Sequence, residues 1–387
     1  MWLSPERGSA LLSSCWPATA VFPQHTADAE RGSPVSGTAH DSPGPGPLRD
    51  RVTAPSSIAL PAVGAGLVWR PVTVGDIGLI LDLKRAAGRV DHPHSLVMRD
   101  ELEEEFASAS FTPGSDAVIA VDSAGRAVAY GSAAAPASQE TIVWVELDGT
   151  VAPDRRGEGI GRALLAWQEA RGLQHLAACD AVLPGWLASG AHDHAIPAIR
   201  LLETHGYERA RWWMELERDL AAPVAQQPSL SGVRFVPYAE AWQERSRSAL
   251  NDAFRDHWGT QPVTAAEWAA GDRLSAFRPD LSVLAVTPGT HEGERVVGFV
   301  FVDVTREEWP LRGGPFGYVT AVGVRREARG HGLARAMLAH VLQALRADGL
   351  NHAVLDVDAE NPTGALGLYQ SLGFTVTDRS VSLVKRF

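Results

Sequence analysis

Two stretches of this chain are built for the same chemistry. Arg156-Gly-Glu-Gly-Ile-Gly-Arg-Ala-Leu-Leu165 recurs as Arg329-Gly-His-Gly-Leu-Ala-Arg-Ala-Met-Leu338, with Arg, two Gly, Arg, Ala and Leu in register. Glycines let a backbone approach a ligand closely, and the free N–H groups of a helix start attract anionic oxygens. Arg156 and Arg329 add positive charge where a pyrophosphate would sit. The plainer alternative is a tight strand-to-helix connection with no ligand, but two copies in one context favour binding. Neither copy is a Walker loop, because no Gly-Lys-Ser/Thr follows. Neither is a dinucleotide fingerprint, because Arg162 and Arg335 stand where its third glycine belongs.

Other polar groups are less committed. His192-Asp-His194 offers two imidazoles, but two histidines in a loop are ordinarily solvated, and no metal is expected there. Asn251-Asp-Ala-Phe-Arg-Asp-His-Trp-Gly259 interleaves polar groups with aromatics, so Asp256 and His257 could hold an acceptor. Ordinary helix capping is an equal alternative for that segment. Cys15 and Cys179 are the only cysteines, too few for a disulfide framework or a zinc site. Cys179 reads as a small buried residue in an apolar strand.

These groups are carried by a repeated series of elements. An opening strand (68–70; 233–236) leads into helical segments (74–87; 241–254). A strand pair follows around a Gly-containing turn (117–121 with 128–132; 282–286 with 296–304). Next come a long strand (142–151; 318–324), the glycine turn and its helix. Leu333, Met337, Val341 and Leu345 repeat every four residues, and Leu338 and Leu342 widen the stripe into one buried face. A further strand (177–183; 353–357), a helix and two closing strands are expected to complete each unit. This alternation predicts an α/β protein with a mixed sheet and helices on both faces.

The units run over residues 67–220 and 232–387, joined by a Pro-containing linker at 221–231. Residues 1–66 are rich in Pro, Gly and Ser without periodicity and are expected to be a disordered tail. Its apolar patch is short and follows Glu6 rather than a basic leader, which argues against export and for the cytoplasm. The chain has 387 residues and a formal charge of −11, which disfavours a general nucleic-acid binder. No run of eighteen apolar residues exists, so no membrane-spanning helix is expected.

The motif resembles the pyrophosphate loop of the GNAT superfamily of N-acetyltransferases, Q/R-x-x-G-x-G/A. Arg329, Gly330, His331, Gly332, Leu333 and Ala334 match it, as do Arg156, Gly157, Glu158, Gly159, Ile160 and Gly161. Asn361, Ala365, Tyr369 and Gly373-Phe374 match the family's downstream pattern. Two such units in one chain resemble the tandem actinobacterial GNAT proteins of the mycothiol synthase type. The resemblance implies two tandem acyl-CoA N-acyltransferase domains, with acetyl-CoA as co-substrate. It implies that Val322, Gly323 and Val324 offer backbone groups to the pantetheine and thioester, and Val151 likewise in the first unit. It implies further that Asn361 contacts the pantetheine arm and that Tyr369 protonates the sulfur.

No residue declares itself as the general base. Asp356 and Asp358 share one strand face; Asp303 and His257 are further candidates, as is a water relay. The acid that mycothiol synthase is thought to use has no counterpart in residues 317–324. In the first unit Leu202 falls opposite Tyr369, and a leucine donates no proton. That unit, which carries Glu146 and Asp148 on its long strand, is therefore expected to be catalytically degraded. The expected function is N-acetylation of a small-molecule primary amine by the second unit, as a monomer or homodimer. The alternatives are a non-catalytic acyl-CoA sensor and a protein N-acetyltransferase.

Overall fold

The computed structural model describes residues 46–387, apart from 225–226, 228–229, 256, 290–292 and 361–363. Helix α1 (Leu48–Arg51) precedes strand β1 (Val68–Pro71), α2 (Ile77–Asp91), α3 (Arg99–Ala107) and the four-residue α4 (Pro113–Asp116). Strands β2 (Ala117–Val121), β3 (Ala127–Ala134) and β4 (Val143–Val151) lead to α5 (Ile160–Ala177), β5 (Gly185–His192), α6 (Ile196–Thr204) and β6 (Glu208–Asp219). The second unit repeats the series with β7 (Arg234–Pro237), α7 (Gln243–Ala253), α8 (Ala265–Gly271), β8 (Val283–Pro288), β9 (Glu294–Asp303) and β10 (Phe316–Val324). It continues with α9 (Leu333–Ala347), β11 (His352–Asp358), α10 (Ala365–Ser371) and β12 (Thr375–Arg386).

The strands form one twelve-stranded sheet, in the order β1-β2-β3-β4-β5-β12-β6-β11-β10-β9-β8-β7. Only β4/β5 and β10/β11 are parallel; every other neighbouring pair is antiparallel. Each unit has one closing strand, not two, and that strand leaves its own unit. Strand β12 lies between β5 and β6, and β6 lies between β12 and β11. The exchange covers two edges, at β5 and β11, that would otherwise present unpaired N–H and C=O groups. The units are therefore interlocked through their last strands.

Helices cover both faces, as glycine positions reveal. A Cβ on Gly131 would lie 2.5 Å from Leu164 of α5, whereas neighbouring Tyr130 turns to Lys84 of α2. In the second unit a Cβ on Gly298 would lie 2.8 Å from Met337 of α9, while Phe299 packs on Phe254 after α7. The expected stripe Leu333, Met337, Leu338, Val341, Leu342 and Leu345 is buried against β9, β10 and β11.

Two local expectations fail for identifiable reasons. The first unit's fifth strand is not 177–183: α5 runs on to Ala177, and the strand is Gly185–His192. Cys179 is accordingly half-buried in the turn between them, not buried in a strand. Residues 46–66, assigned by composition to a disordered tail, are laid on the first unit. Leu48 is fully buried, its N–H bonds the Ala181 carbonyl at 3.1 Å, and a Cβ on Gly185 would stand 2.5 Å from its methyl. Apolar residues as sparse as Leu48, Val52, Ile58 and Val63 suffice here because each meets an existing core. Residues 1–45, including Cys15, lie outside the described residues.

Candidate active site

Both glycine turns adopt one backbone course. Gly330 and Gly332 have φ 81° and 74°, and Gly157 and Gly159 have φ 85° and 82°, the left-handed region that side chains disfavour. Gly332 and Gly159 are the residues preceding α9 and α5, so the unbonded N–H groups of a long helix open onto each turn. A Cβ on Gly330 or Gly332 would meet nothing within 4 Å, so the second turn is open. In the first turn a Cβ on Gly157 would likewise meet nothing within 4 Å, but Val63 comes within 3.9 Å of one on Gly159, and Arg155 donates to the Ala65 carbonyl.

The arginines of the motif are engaged elsewhere than the sequence suggests. Arg329 donates to the carbonyls of Val324, 3.0 Å, and Ala253, 2.8 Å. Arg156 donates to the Val151 carbonyl and grips the Asp91 carboxylate at 2.8 and 2.5 Å. Each therefore braces the end of the long strand against the end of the helix packed on it. Backbone amides of the turn lie at the start of the following helix.

The strand before the turn separates the two units. Pairing of β10 with β11 ends at Tyr318↔Val354, so 319–324 and 355–358 diverge. The β10 register against β9 shifts between Val319 and Ala321, leaving Thr320 as an extra residue. A bulge re-aims backbone groups and breaks the side-chain alternation. Val319 and Val322 thus face α9, while Ala321 joins the core under α7. Beyond the bulge, Val322, Gly323 and Val324 pair only with β9, leaving their other edge toward the cleft. A Cβ on Gly323 would fall 2.2 Å from the Phe299 ring, so only glycine fits.

In the first unit β4 also parts from β5, after Glu146↔Ala188, but β4 pairs with β3 without a shift. The gap is bridged: Ser189 Oγ donates to the Leu147 carbonyl, 2.9 Å. Gln168 donates to the carbonyls of Ser132 and Asp148 at 3.0 and 2.7 Å. On the other face, buried Lys84 bonds the Asp148 carboxylate beneath Tyr130. Burial alone would lower the Lys84 ammonium, but Asp148 and Glu105 outweigh it and hold it raised. Asp148 is thus consumed in an internal ion pair.

Downstream of the second turn, Tyr369 on α10 is fully buried and meets Phe374 edge-on at 6.0 Å. It belongs to the same core as Ala334, Val322 and Val324, which places it behind the open strand. Leu202 occupies the matching position on α6 and is also buried. Asn361 and Asp256 lie outside the described residues.

Strand pairing sets the polar groups of the cleft on one face. Asp356 lies opposite Glu215 and Asp358 opposite Trp213 on exchanged strand β6. Tyr318 donates to Asp356. Burial raises Asp358 above the usual carboxylate range, against the Glu360 N–H at 2.9 Å and the Arg211 guanidinium at 3.8 Å. Arg312 and Glu215, both buried, form a two-pronged pair of 2.9 and 2.5 Å, and Thr377 donates to the same carboxylate. His257 stacks near Trp213 at 6.1 Å, and burial pulls its imidazole down to about 4. Trp258 beside it packs on Trp186 of the first unit at 5.1 Å. Asp303, another base candidate, pairs with Tyr318 in the ladder at the end of β9. Sequence reasoning missed Arg211, Trp213 and Glu215, because nothing local signals that a first-unit strand lines the second unit's cleft.

The histidine pair is also not where it was expected. His192 ends β5 and is buried, not in a loop. Its ring lies 4.1 Å from that of His92 and 5.1 Å from that of His194. Burial, helped by His192, pulls the His92 imidazole down to about 3.

The profile of the acetyltransferase (GNAT) family matches residues 244–374, within the second unit. A mycothiol acetyltransferase of Thermobispora bispora is 32% identical over 305 residues, covering 78% of this chain and 94% of that protein. One from Frankia alni is 32% identical over 342 residues, 83% of this chain and 95% of that protein. Among solved structures, a GCN5-related N-acetyltransferase from Sphaerobacter thermophilus superposes with a TM-score of 0.61 at 24% identity, covering 84% of this chain and 97% of that one. A tandem GNAT protein from the clavulanic acid biosynthesis pathway gives a TM-score of 0.57 at 20% identity, covering 83% and 98%. The last two establish the shared fold.

Proposed function

The chain belongs to the GNAT acetyltransferase family, and from that premise we propose that its second unit acetylates a primary amine of a small molecule, with acetyl-CoA as donor. The observation that carries this reading is the bulge at Thr320 in a splayed strand pair; the matching strand of the first unit pairs without such a shift. A thioester carbonyl entering that cleft meets N–H groups on the free edge of residues 320–324, suited to the oxyanion of a tetrahedral intermediate. The helix-start amides after Gly332 suit the pyrophosphate.

The amine, as the neutral base, attacks the thioester carbon. The C–N bond forms, the C–S bond breaks, and the thiolate takes a proton from Tyr369. The proton released from nitrogen passes to a carboxylate of the cleft. Asp358 suits that task, since burial favours its protonated form and it faces the acceptor side. Arg211, Trp258 and His257 line the same side and suit a polar acceptor with hydroxyls. The relatives named for mycothiol make an amine of that type the first acceptor to test. The first unit serves as scaffold, its splay bridged and its turn overlaid. No helix of the described residues is long and apolar enough to cross a membrane.

The test is CoA formation from acetyl-CoA, resolved from the acceptor by chromatography, across a panel of amines including amino sugars and amino-acid conjugates, for wild type and Tyr369→Phe. Amine-dependent turnover is expected, with kcat lower by about 10²-fold in the variant. Turnover unaffected by Tyr369→Phe would remove the acid from the mechanism. Dependence on Gly159 rather than Gly332 would move the site to the first unit.

A further inference from the structure

At the end of β5 in the first unit, three potential ligands converge, with the imidazole of His92 beside them. His92 follows α2, His192 ends β5, His194 begins the next turn, and Asp378 comes from β12 of the second unit. We propose that His192, His194 and Asp378, with His92 as fourth ligand, form a site for a zinc-like divalent cation that ties the exchanged strand β12 to the first unit.

The geometry carries this. Ligand atoms of His192, His194 and Asp378 all lie within 4.8 Å of one another. His192 Nδ1 and Asp378 Oδ2 are 3.2 Å apart, close to the edge of about 3.3 Å expected when nitrogen and oxygen both stand near 2.1 Å from a tetrahedral zinc. The remaining gap, within 4.8 Å, closes by small side-chain adjustments at His194 and Asp378, whose side chains are 47% and 23% exposed.

The hydrogen bonds favour ligation too. His194 Nε2 lies 2.9 Å from the Asp91 carbonyl, and only a donor can bond a carbonyl. With Nε2 engaged by that carbonyl, Nδ1 is the nitrogen left to bind a cation. A backbone carbonyl orienting the second nitrogen is the usual support for a metal-bound histidine. His92 Nδ1 is buried with no hydrogen-bond partner among the described residues, and its ring lies 4.1 Å from that of His192. Burying such a nitrogen unpaired is costly, and a cation would satisfy it. Two or three imidazoles with one carboxylate, in a closed tetrahedral set, suit zinc rather than magnesium or calcium.

The site depends on the strand exchange. Ser380 pairs with His192 across the ladder, and the Asp193 N–H donates to the Arg379 carbonyl, 3.1 Å. Three ligands thus belong to the first unit and one to the second. The cation would act on stability, since whatever binds only the folded state stabilises it. This inference is independent of which unit is catalytic.

The experiment uses the untagged full chain, stripped with a chelator and then titrated with Zn²⁺. It reads bound zinc per chain by elemental analysis, the thermal midpoint, and visible absorption of the Co²⁺ form. One tight equivalent, a raised midpoint and tetrahedral Co²⁺ bands are expected. His194→Ala and Asp378→Asn, both at partly exposed positions, should keep wild-type circular dichroism yet weaken binding by more than about tenfold. Zinc bound equally by both variants would place it on other histidines and overturn the proposal. Absence of binding by the wild type would do the same.

Discussion

At the residue scale, the cleft's acid–base groups are set by burial more than by sequence neighbours. Asp358 is held above the normal carboxylate range chiefly because burial disfavours its charge. A carboxyl whose folded pKa exceeds its unfolded value stabilises the fold only while protonated. That contribution is therefore lost as pH rises from the unfolded value through the folded one. Wherever it is ionised, the buried Asp358 is a cost. Asp358→Asn should consequently raise the thermal midpoint at pH 7, and narrow its advantage as the pH is lowered. The same variant should lower kcat about tenfold or more, because the amine proton loses its acceptor. Melting curves at two pH values and steady-state kinetics on one preparation check both signs. A variant that is less stable and fully active would leave Asp358 a structural residue. Arg312 makes the opposite case. Its partner Glu215 is equally buried, so Arg312→Ala strands a carboxylate and should cost about 3–5 kcal/mol, measured by denaturant unfolding.

At the scale of elements, the two glycine turns share a backbone and differ in their surroundings. Gly332 precedes α9 in a left-handed conformation with open space about it, so an alanine there meets strain but no clash. Strain of about 1–2 kcal/mol would shift the amides that the turn presents. Gly332→Ala is expected to raise KM for acetyl-CoA severalfold, while Gly159→Ala at the overlaid first turn leaves it unchanged. Equal effects would mean that both turns bind donor. How these elements form is local and legible. The period-four stripe of α9 and the unbroken apolar run of β9 are in the sequence, because a buried helix face needs apolar residues at fixed spacing and a strand buried on both faces needs them throughout. The bulge at Thr320 is not. It arises where Val319 and Val322 must both reach the α9 side while Ala321 reaches α7, a demand visible only once both layers are in place.

At the scale of the whole molecule, the exchange of β6 and β12 makes the units interdependent. Residues 46–220 alone would leave β5 without β12, and residues 232–387 alone would leave β11 without β6. Each half would also expose an edge of apolar strand, a template for aggregation. The halves produced separately are expected to be unfolded or insoluble, and produced together to reassemble into active protein. Size-exclusion chromatography with circular dichroism checks this. A well-folded isolated second half would show the exchange to be dispensable. Chemical unfolding of the intact chain should likewise be a single transition, with both units lost together.

The sequence by itself determined the family, the mixed α/β class, the repeated glycine turns with their helices and most of the series of elements, though not the closing strands or the first unit's fifth strand. These rest on local spacing, turn chemistry and duplication, all read within a few residues. Only the tertiary structure decided that the arginines of the motif are braces, that Leu48 belongs to a core, and that the first cleft is bridged by Ser189. It alone brought Asp378 to His192, and Arg211, Trp213 and Glu215 to the second unit's cleft. Those pairings join residues more than a hundred positions apart through exchanged strands. A strand's pattern records which of its faces is buried but carries no mark of the partner that buries it.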